Sequence, residues 1–169
     1  RRDILSMVTH MGLMGHFVGD ASMPYHGTAD YDGWDSGHGG IHGFYESECV
    51  SELSADLLAR VEARAKKISR PLKPLSTVEQ MKRISVDSHA ELSRLEKLDR
   101  VLEKSKVEPG AEGGPVHKTK ARRLSAARMA PVFEPLILGE LARSAAALAA
   151  LWDQIYEKAG RPALEHYRS

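Results

Sequence analysis

The amino-acid sequence predicts an all-α fold. Apolar residues recur at helical spacing in several long stretches, and no pair of alternating stretches indicates a convincing β-hairpin. Pro and Gly gather between those stretches, where they are expected to end helices. With 169 residues, 42% of them hydrophobic, the chain is about the size of one domain and can bury a core of its own.

The first predicted helix runs from Ile4 to about Asp20 and is apolar and rich in Met, so we expect it to be buried. It retains three glycines, each of which costs about 1 kcal/mol relative to Ala inside a helix. They are Gly12, Gly15 and Gly19. Glycines kept at that cost indicate close approach by another backbone or by a functional site. Residues 21–40 form a loop rich in Gly and Asp, and unpatterned loops of this length are often functional.

Two further helices are predicted in the middle of the chain. One begins at Ile41 and continues to about Ile68, where Pro71 and Pro74 are expected to stop it. Ser76 and Glu79 then form a capping-box pattern that begins a long amphipathic helix. Its apolar stripe consists of Val78, Met81, Ile84, Leu92, Leu95, Leu98 and Leu102.

The carboxy-terminal third contains a connection and one more helix. Residues 106–120 are rich in Pro and Gly and are predicted to be a flexible linker, followed by a helix from about Val132 to Lys158. The basic residues between 117 and 128 favour a solvated flexible run, with binding to a nucleic-acid backbone or an anionic membrane as the alternative. We expect no transmembrane segment, because no stretch approaches about 20 consecutive apolar residues. The single cysteine, Cys49, is interpreted as a small buried hydrophobe.

Charge and histidine are unevenly distributed along the chain. Residues 1–50 hold two Arg and seven Asp or Glu, whereas residues 51–169 hold 22 basic and 16 acidic side chains. Five of the eight histidines lie in the acidic front segment: His10, His16, His26, His38 and His42. Imidazole and carboxylate together supply the ligands and the charge neutralisation that a divalent metal requires, so we place a metal-binding segment at about residues 10–50.

Two pairs in this segment have the spacing of metal ligands on a helix. His16 with Asp20 and His42 with Glu46 are each four residues apart, which places both members on one helical face. His26 follows Pro24 between the two pairs. A three-ligand set of imidazole and carboxylate suits catalytic zinc, which keeps a position for water. Clustered metals suit phosphodiester hydrolysis, because they bind the phosphoryl oxygen, activate water and stabilise the leaving oxygen.

The order of these residues resembles that of a known family. The pattern is His16, Gly19, Asp20, Pro24, His26, a loop, then His42 and Glu46. It is similar to the pattern of the zinc-dependent phospholipase C and single-strand-specific nuclease superfamily. The resemblance implies that this chain shares the multi-helix fold and the trinuclear zinc site of that superfamily.

The same resemblance assigns the metal ligands. It implies that His26, His42 and Glu46 hold one zinc, that His16 binds a second, and that Asp20 bridges the second zinc to a third. Up to three zinc ions are therefore expected in the complete enzyme, and this chain fully ligates one of them. Export from the cytoplasm, to the periplasm or outside the cell, is a further implication of the resemblance.

The upstream half of the family pattern is not found in this sequence. Members also use an aromatic amino-terminal residue, an early His, and an Asp and a His from later helices, whereas only fifteen residues precede His16. We therefore expect this chain to be the carboxy-terminal portion of the enzyme, lacking its upstream helices. The general base is expected upstream of Arg1, in a segment that was removed or that remains as a separate chain.

The leading functional prediction is a zinc-dependent phosphodiester hydrolase acting on a phospholipid, on single-stranded nucleic acid or on a smaller phosphodiester. The sequence does not separate the lipid from the nucleic-acid substrate. Tyr31 and Trp34 are candidates for stacking on a base or lining a headgroup pocket, and His38 for contacting a phosphate. The alternative is a non-catalytic, zinc-stabilised helical interaction module. A di-iron bundle is disfavoured, because such bundles use Glu and Glu-x-x-His rather than His-x-x-x-Asp.

Overall fold

The computed structural model describes residues 2–68, 75–110 and 114–163 and is largely helical, as the sequence predicts. The helices are α1 (Arg2–Ala21), a 3₁₀ turn (Pro24–Gly27), α2 (Ile41–Gly43) continuing as a π-helix (Phe44–Cys49), α3 (Leu57–Ala65), α4 (Thr77–His89), α5 (Leu92–Leu98) and α6 (Ala126–Lys158). The strands are β1 (Val101–Glu103), β2 (Lys106–Glu108), β3 (His117–Thr119) and β4 (Arg122–Arg123).

The core is assembled around α6, which contacts α1, α3, α4, α5 and the π-helix. Phe133 is fully buried at its centre and makes edge-on ring contacts with Tyr45 at 5.3 Å and Phe44 at 6.4 Å between centroids. Such aromatic pairs add stabilisation beyond the area they bury. Other fully buried core side chains are Tyr25, Ile41, Cys49, Leu95, Met129 and Leu136. The predicted metal-binding segment therefore contributes part of the core, including Tyr25, Ile41 and Cys49.

The expectation that the first helix is buried is wrong for most of its surface. Val18 is 1% exposed, whereas Leu5 is 72% and Phe17 60% exposed. Only the face toward α4 and α6 is covered in the described residues. A methyl group added at Gly12 would meet nothing within 4 Å, and at Gly15 it would meet only the Leu148 side chain at 3.6 Å, an ordinary contact. The glycines of α1 thus mark no close backbone approach in the part of the chain that the structure describes.

The predicted long helices are divided into shorter ones. The capping box is confirmed: the Ser76 hydroxyl accepts from the Glu79 N–H at 3.2 Å, and the Glu79 carboxylate accepts from the Ser76 N–H at 2.8 Å. That helix ends at His89, and a turn separates α4 from α5. The helix predicted from Ile41 to about Ile68 is likewise interrupted between the π-helix and α3. Pro71 and Pro74, which were expected to stop that helix, lie outside the described residues.

The all-α prediction is too strict, because the described residues 101–108 and 117–123 contain two short antiparallel strand pairs. Strand β1 pairs with β4, and β2 pairs with β3, with Val107 opposite Lys118. Strands of two or three residues are too short to show an alternating pattern, so no strand was predicted here. Strands β2 and β3 lie within the predicted linker at 106–120, and β3 and β4 lie within the predicted basic run at 117–128. The flexibility of the linker stays a prediction. Arg123 has a side chain only 7% exposed.

Helix α6 begins at Ala126, six residues before the predicted start, and carries Pro131 and Pro135 in its interior. Its length and composition would allow it to cross a membrane. Core helices of globular domains also pass that test, and the inner face of α6 forms the core described above. The expectation of no transmembrane segment stays a prediction.

Candidate metal centre

Three local segments position the predicted ligands. His16 and Asp20 lie on the last turns of α1, and His26 lies in the 3₁₀ turn that Pro24 begins. Gly40 has a φ of 86°, a left-handed conformation that glycine adopts readily, and it turns the chain into α2. His42 is then on α2 and Glu46 on the π-helix. π-Helices are rare and frequently occur at functional sites.

The side chains of His26, His42 and Glu46 converge on one point. The two imidazole Nε2 atoms are 2.9 Å apart, the His42 Nε2 atom is 2.8 Å from the Glu46 Oε2 atom, and the His26 Nε2 atom is 3.9 Å from the same oxygen. Each of these three side chains offers one ligand atom, and the three atoms all lie within 4.8 Å of one another. The sequence-predicted three-ligand set is thus brought together.

The three donor atoms are of the kinds that bind zinc, but their spacing is that of a hydrogen-bonded cluster. Around a tetrahedral zinc ion with bonds of about 2.0–2.2 Å, ligand atoms are about 3.3–3.6 Å apart, whereas the separations here are 2.9, 2.8 and 3.9 Å. Zinc binding would therefore require shifts of about 0.5 Å in these side chains. The side chains are 26%, 25% and 46% exposed, so the cluster is open to solvent and to a substrate.

The main chain of α1 orients one of the imidazoles. The Nδ1 atom of His26 lies 3.0 Å from the carbonyl oxygen of Asp20. Because a carbonyl oxygen only accepts hydrogen bonds, Nδ1 carries the proton and Nε2 is left with a lone pair. A hydrogen bond from the remote ring nitrogen is the usual companion of a metal-ligating histidine.

His16 and Asp20 extend the cluster along α1. The His16 Nε2 atom lies 3.3 Å from Asp20 Oδ2, and Asp20 Oδ1 lies 3.8 Å from His26 Nδ1. The Asp20 carboxylate therefore lies between the His16 imidazole and the Nδ1 side of the His26 ring, whereas the three-residue cluster uses the Nε2 atom of His26. A bridging role for Asp20 stays a prediction. His16 and Asp20 are 68% and 40% exposed, and within the described residues no third side chain joins them at ligand distance.

Two aspartates of the loop shape the site through the backbone. The Asp30 carboxylate accepts from the N–H groups of Trp34, Asp35 and Ser36 at 2.6–3.1 Å, and Asp32 Oδ1 accepts from the His42 N–H at 3.1 Å. Aspartates commonly close turns in this way and cap the first N–H groups of a helix. Sequence reasoning did not assign these roles, although the Asp and Gly content of the loop is the signal for them.

A buried carboxylate, Asp99, was also missed. It caps α5, its side chain has no exposed surface, and it accepts from His38 Nδ1 at 2.8 Å and from the Arg123 guanidinium at 3.0 Å. Burial acts to raise the pKa of Asp99, but the hydrogen bonds from His38 and Arg123 and the Arg123 charge outweigh it and hold the pKa below its usual range. A partner 61 residues away leaves no local pattern in the sequence.

The three predicted substrate residues lie near the loop in different environments. Tyr31 is 59% exposed, and its ring centroid is 6.3 Å from that of His42, beside the ligand cluster. Trp34 is partly buried, and the Lys118 ammonium lies 5.0 Å from its ring centroid. His38 is 17% exposed and is bound to Asp99. Contact between these residues and a substrate stays a prediction.

Comparison of the chain with protein-family models, with characterised proteins and with solved structures finds no match. Any functional assignment therefore depends on the geometry of the ligand cluster and on the order of its residues in the sequence.

Proposed function

We propose that the chain binds zinc through His26, His42 and Glu46 and acts as a zinc-dependent phosphodiester hydrolase that resembles phospholipase C and the single-strand-specific zinc nucleases. The observation that carries the proposal is the convergence of three donor atoms from the 3₁₀ turn, α2 and the π-helix. Two imidazoles and one carboxylate are a ligand set of known catalytic zinc sites, in which one coordination position stays open.

Each residue of the cluster has a distinct role in this proposal. His26 and His42 present Nε2 atoms, with the His26 ring oriented by the Asp20 carbonyl. Glu46 contributes the negative charge that partly neutralises a divalent ion. His16 and the Asp20 carboxylate begin a second metal site alongside the first. If these residues hold zinc, the ion would supply Lewis acidity toward a phosphoryl oxygen and toward water.

The chain's own residues also define the approach of a substrate. The partial exposure of the cluster lets a phosphodiester reach it from solvent. Tyr31 stands beside His42 with its ring exposed, where it would contact the group next to the phosphate. A phospholipid and a single-stranded nucleic acid both carry a group next to the phosphate that Tyr31 would contact.

Metal content and hydrolysis test the proposal together. The full chain, purified and reconstituted with zinc, should bind about one zinc tightly, and His42→Ala should abolish that binding because the remaining two donors leave the ion under-ligated. His10→Ala is the matched control, since His10 is an exposed histidine of α1 that bonds to the Ser6 carbonyl. Equal zinc binding by the wild-type chain and His42→Ala would show that this cluster is not the metal site.

The reaction is tested with bis(p-nitrophenyl) phosphate, a short-chain phosphatidylcholine and single-stranded DNA. Zinc-dependent turnover of any of them, lost in His42→Ala and kept in His10→Ala, is the expected result. Comparison of the last two substrates decides between lipid and nucleic acid.

A second candidate function is a zinc-stabilised helical interaction module without turnover. It is favoured by the exposed apolar side chains of α1, among them Leu5, Leu13 and Phe17, which are 51–72% exposed. Zinc would then raise the melting temperature, because a ligand that binds only the folded state stabilises it. Zinc stabilisation without hydrolysis of any of the three substrates favours this module over the enzyme.

A further inference from the structure

The loop that leads to His42 is held by side chains from much later in the chain. Asp99 accepts from His38 Nδ1, and because a carboxylate is only an acceptor, the proton is on Nδ1. Arg123 donates to both oxygens of Asp99, at 3.0 Å each, so the buried carboxylate is bound on two sides. Asp99 is therefore the centre of a charge-assisted network with a bidentate arginine, the strongest common type of side-chain hydrogen bond.

Arg123 also contacts the segments that carry two of the three zinc ligands. Its NH2 group donates to the His38 carbonyl at 2.8 Å, four residues before His42. Its guanidinium carbon lies 5.1 Å from the centroid of the Phe44 ring, on the residue that begins the π-helix of Glu46. One side chain thus touches the approach to His42 and the start of the helix that holds Glu46.

Backbone hydrogen bonds connect the same loop to the two strand pairs. The Ser105 N–H donates to the Gly37 carbonyl at 3.1 Å, and the Ala121 N–H donates to the Gly39 carbonyl at 3.0 Å. A methyl group at Gly39 would lie 2.5 Å from Trp34 and 2.7 Å from Ser105, so the contact is close on both sides. These contacts tie the loop to Asp99, Ser105, Ala121 and Arg123.

We infer that Asp99 and Arg123 are positioning residues for the zinc site: they act through the His38 main chain and Phe44 to hold His42 and Glu46 at ligand distance. The inference rests on the zinc site proposed above. Bonds between a metal and its ligands are expected within about 0.2 Å of their standard lengths, so the positions of the ligand side chains affect binding. Residues that orient metal ligands without touching the metal typically contribute about 10- to 100-fold to its affinity.

Zinc affinity of the full chain, measured by competition with a chromogenic chelator, tests this. Asp99→Asn removes the charge that Arg123 requires, and Arg123→Lys keeps the charge but removes the two-pronged contact. Both variants should bind zinc about 10- to 100-fold more weakly than the wild type. Arg123→Lys is the milder change and gives the result if Asp99→Asn does not fold.

Spectroscopy separates positioning from a general loss of stability. Cobalt substituted at the site should show altered visible absorption in both variants, since ligand geometry sets those bands. The matched control is Glu134→Gln, which breaks the Arg60–Glu134 ion pair between α3 and α6, far along the chain from the loop. That variant should lose stability while keeping the wild-type zinc affinity and cobalt spectrum.

Each outcome has one meaning. Wild-type affinity and an unchanged cobalt spectrum in Asp99→Asn or Arg123→Lys would overturn the positioning role while leaving the zinc site intact. Equal weakening by Glu134→Gln would also overturn it, because stability alone would then explain the effect. A wild-type chain that binds no zinc would overturn the proposed function and this inference together.

Discussion

Glu140 offers a test of how burial sets charge in this fold. It lies on the inner side of α6, is 5% exposed, and forms an ion pair with Arg143. Burial raises the pKa of Glu140 to about 7, with Glu91 and Asp87 adding to the rise and Arg143 opposing it. Glu140→Gln keeps the shape of the side chain and removes its titration.

The expected magnitude follows from the difference between folded and unfolded states. The pKa of Glu140 rises from its ordinary value of 4.5 to about 7. This difference between the unfolded and folded states is equivalent to about 3 kcal/mol. Because the folded state holds the proton more tightly, the stability from Glu140 is fully present below the unfolded pKa and is lost as pH rises through the folded pKa. Relative to Glu140→Gln, the wild type should therefore lose about 3 kcal/mol between pH 4.5 and pH 8.

The assay is urea unfolding of both proteins at pH 4.5, 6 and 8, in the presence of a chelator so that metal binding does not contribute. Arg143→Gln should steepen the pH dependence, because the guanidinium is the group that lowers the pKa of Glu140. A difference in unfolding free energy between wild type and Glu140→Gln that stays constant across this range would show that the folded state does not hold the Glu140 proton more tightly than the unfolded state.

Three further predictions concern local structure. Ser76→Ala should lower the free energy of unfolding in urea by about 1 kcal/mol, because it removes the cap of α4, and an unchanged midpoint would contradict that role. Gly39→Ala should cost about 1–3 kcal/mol by overpacking against Trp34, and calorimetry showing a wild-type melting temperature would oppose it. Cys49, fully buried and with its pKa raised by burial to about 12, should react with a thiol reagent only after unfolding; rapid labelling of the native chain would contradict its burial.

The parts of the structure that sequence predicted well are local. The capping box at Ser76 and Glu79 is complete within four residues, and its hydrogen bonds are present. The spacing of His42 and Glu46 likewise predicted a shared face, and the two side chains meet at 2.8 Å even though the helix there is a π-helix. Short-range geometry is fixed by the helical repeat, so a pattern of a few residues is enough to predict it.

The errors arose where tertiary contacts decide the outcome. The apolar composition of α1 predicted burial, yet which face is covered depends on how α4 and α6 pack against it. The strands β1 and β4 pair across 18 intervening residues, and neither is long enough to have a recognisable pattern of its own. Composition predicts how much apolar surface a chain has, whereas only the fold determines which part of it is buried.

The candidate zinc site likewise has one part that the sequence predicted and one part that it did not. Its ligands lie within 21 residues, from His26 to Glu46, so their order in the sequence was enough to predict them as a set. The network that supports them joins His38 to Asp99 and Arg123, across 61 and 85 residues. Its members look like ordinary charged residues in the sequence, and only their shared burial distinguishes them. A ligand pattern therefore predicts which atoms can bind a metal, whereas the distant buried residues determine how firmly those atoms are held in place.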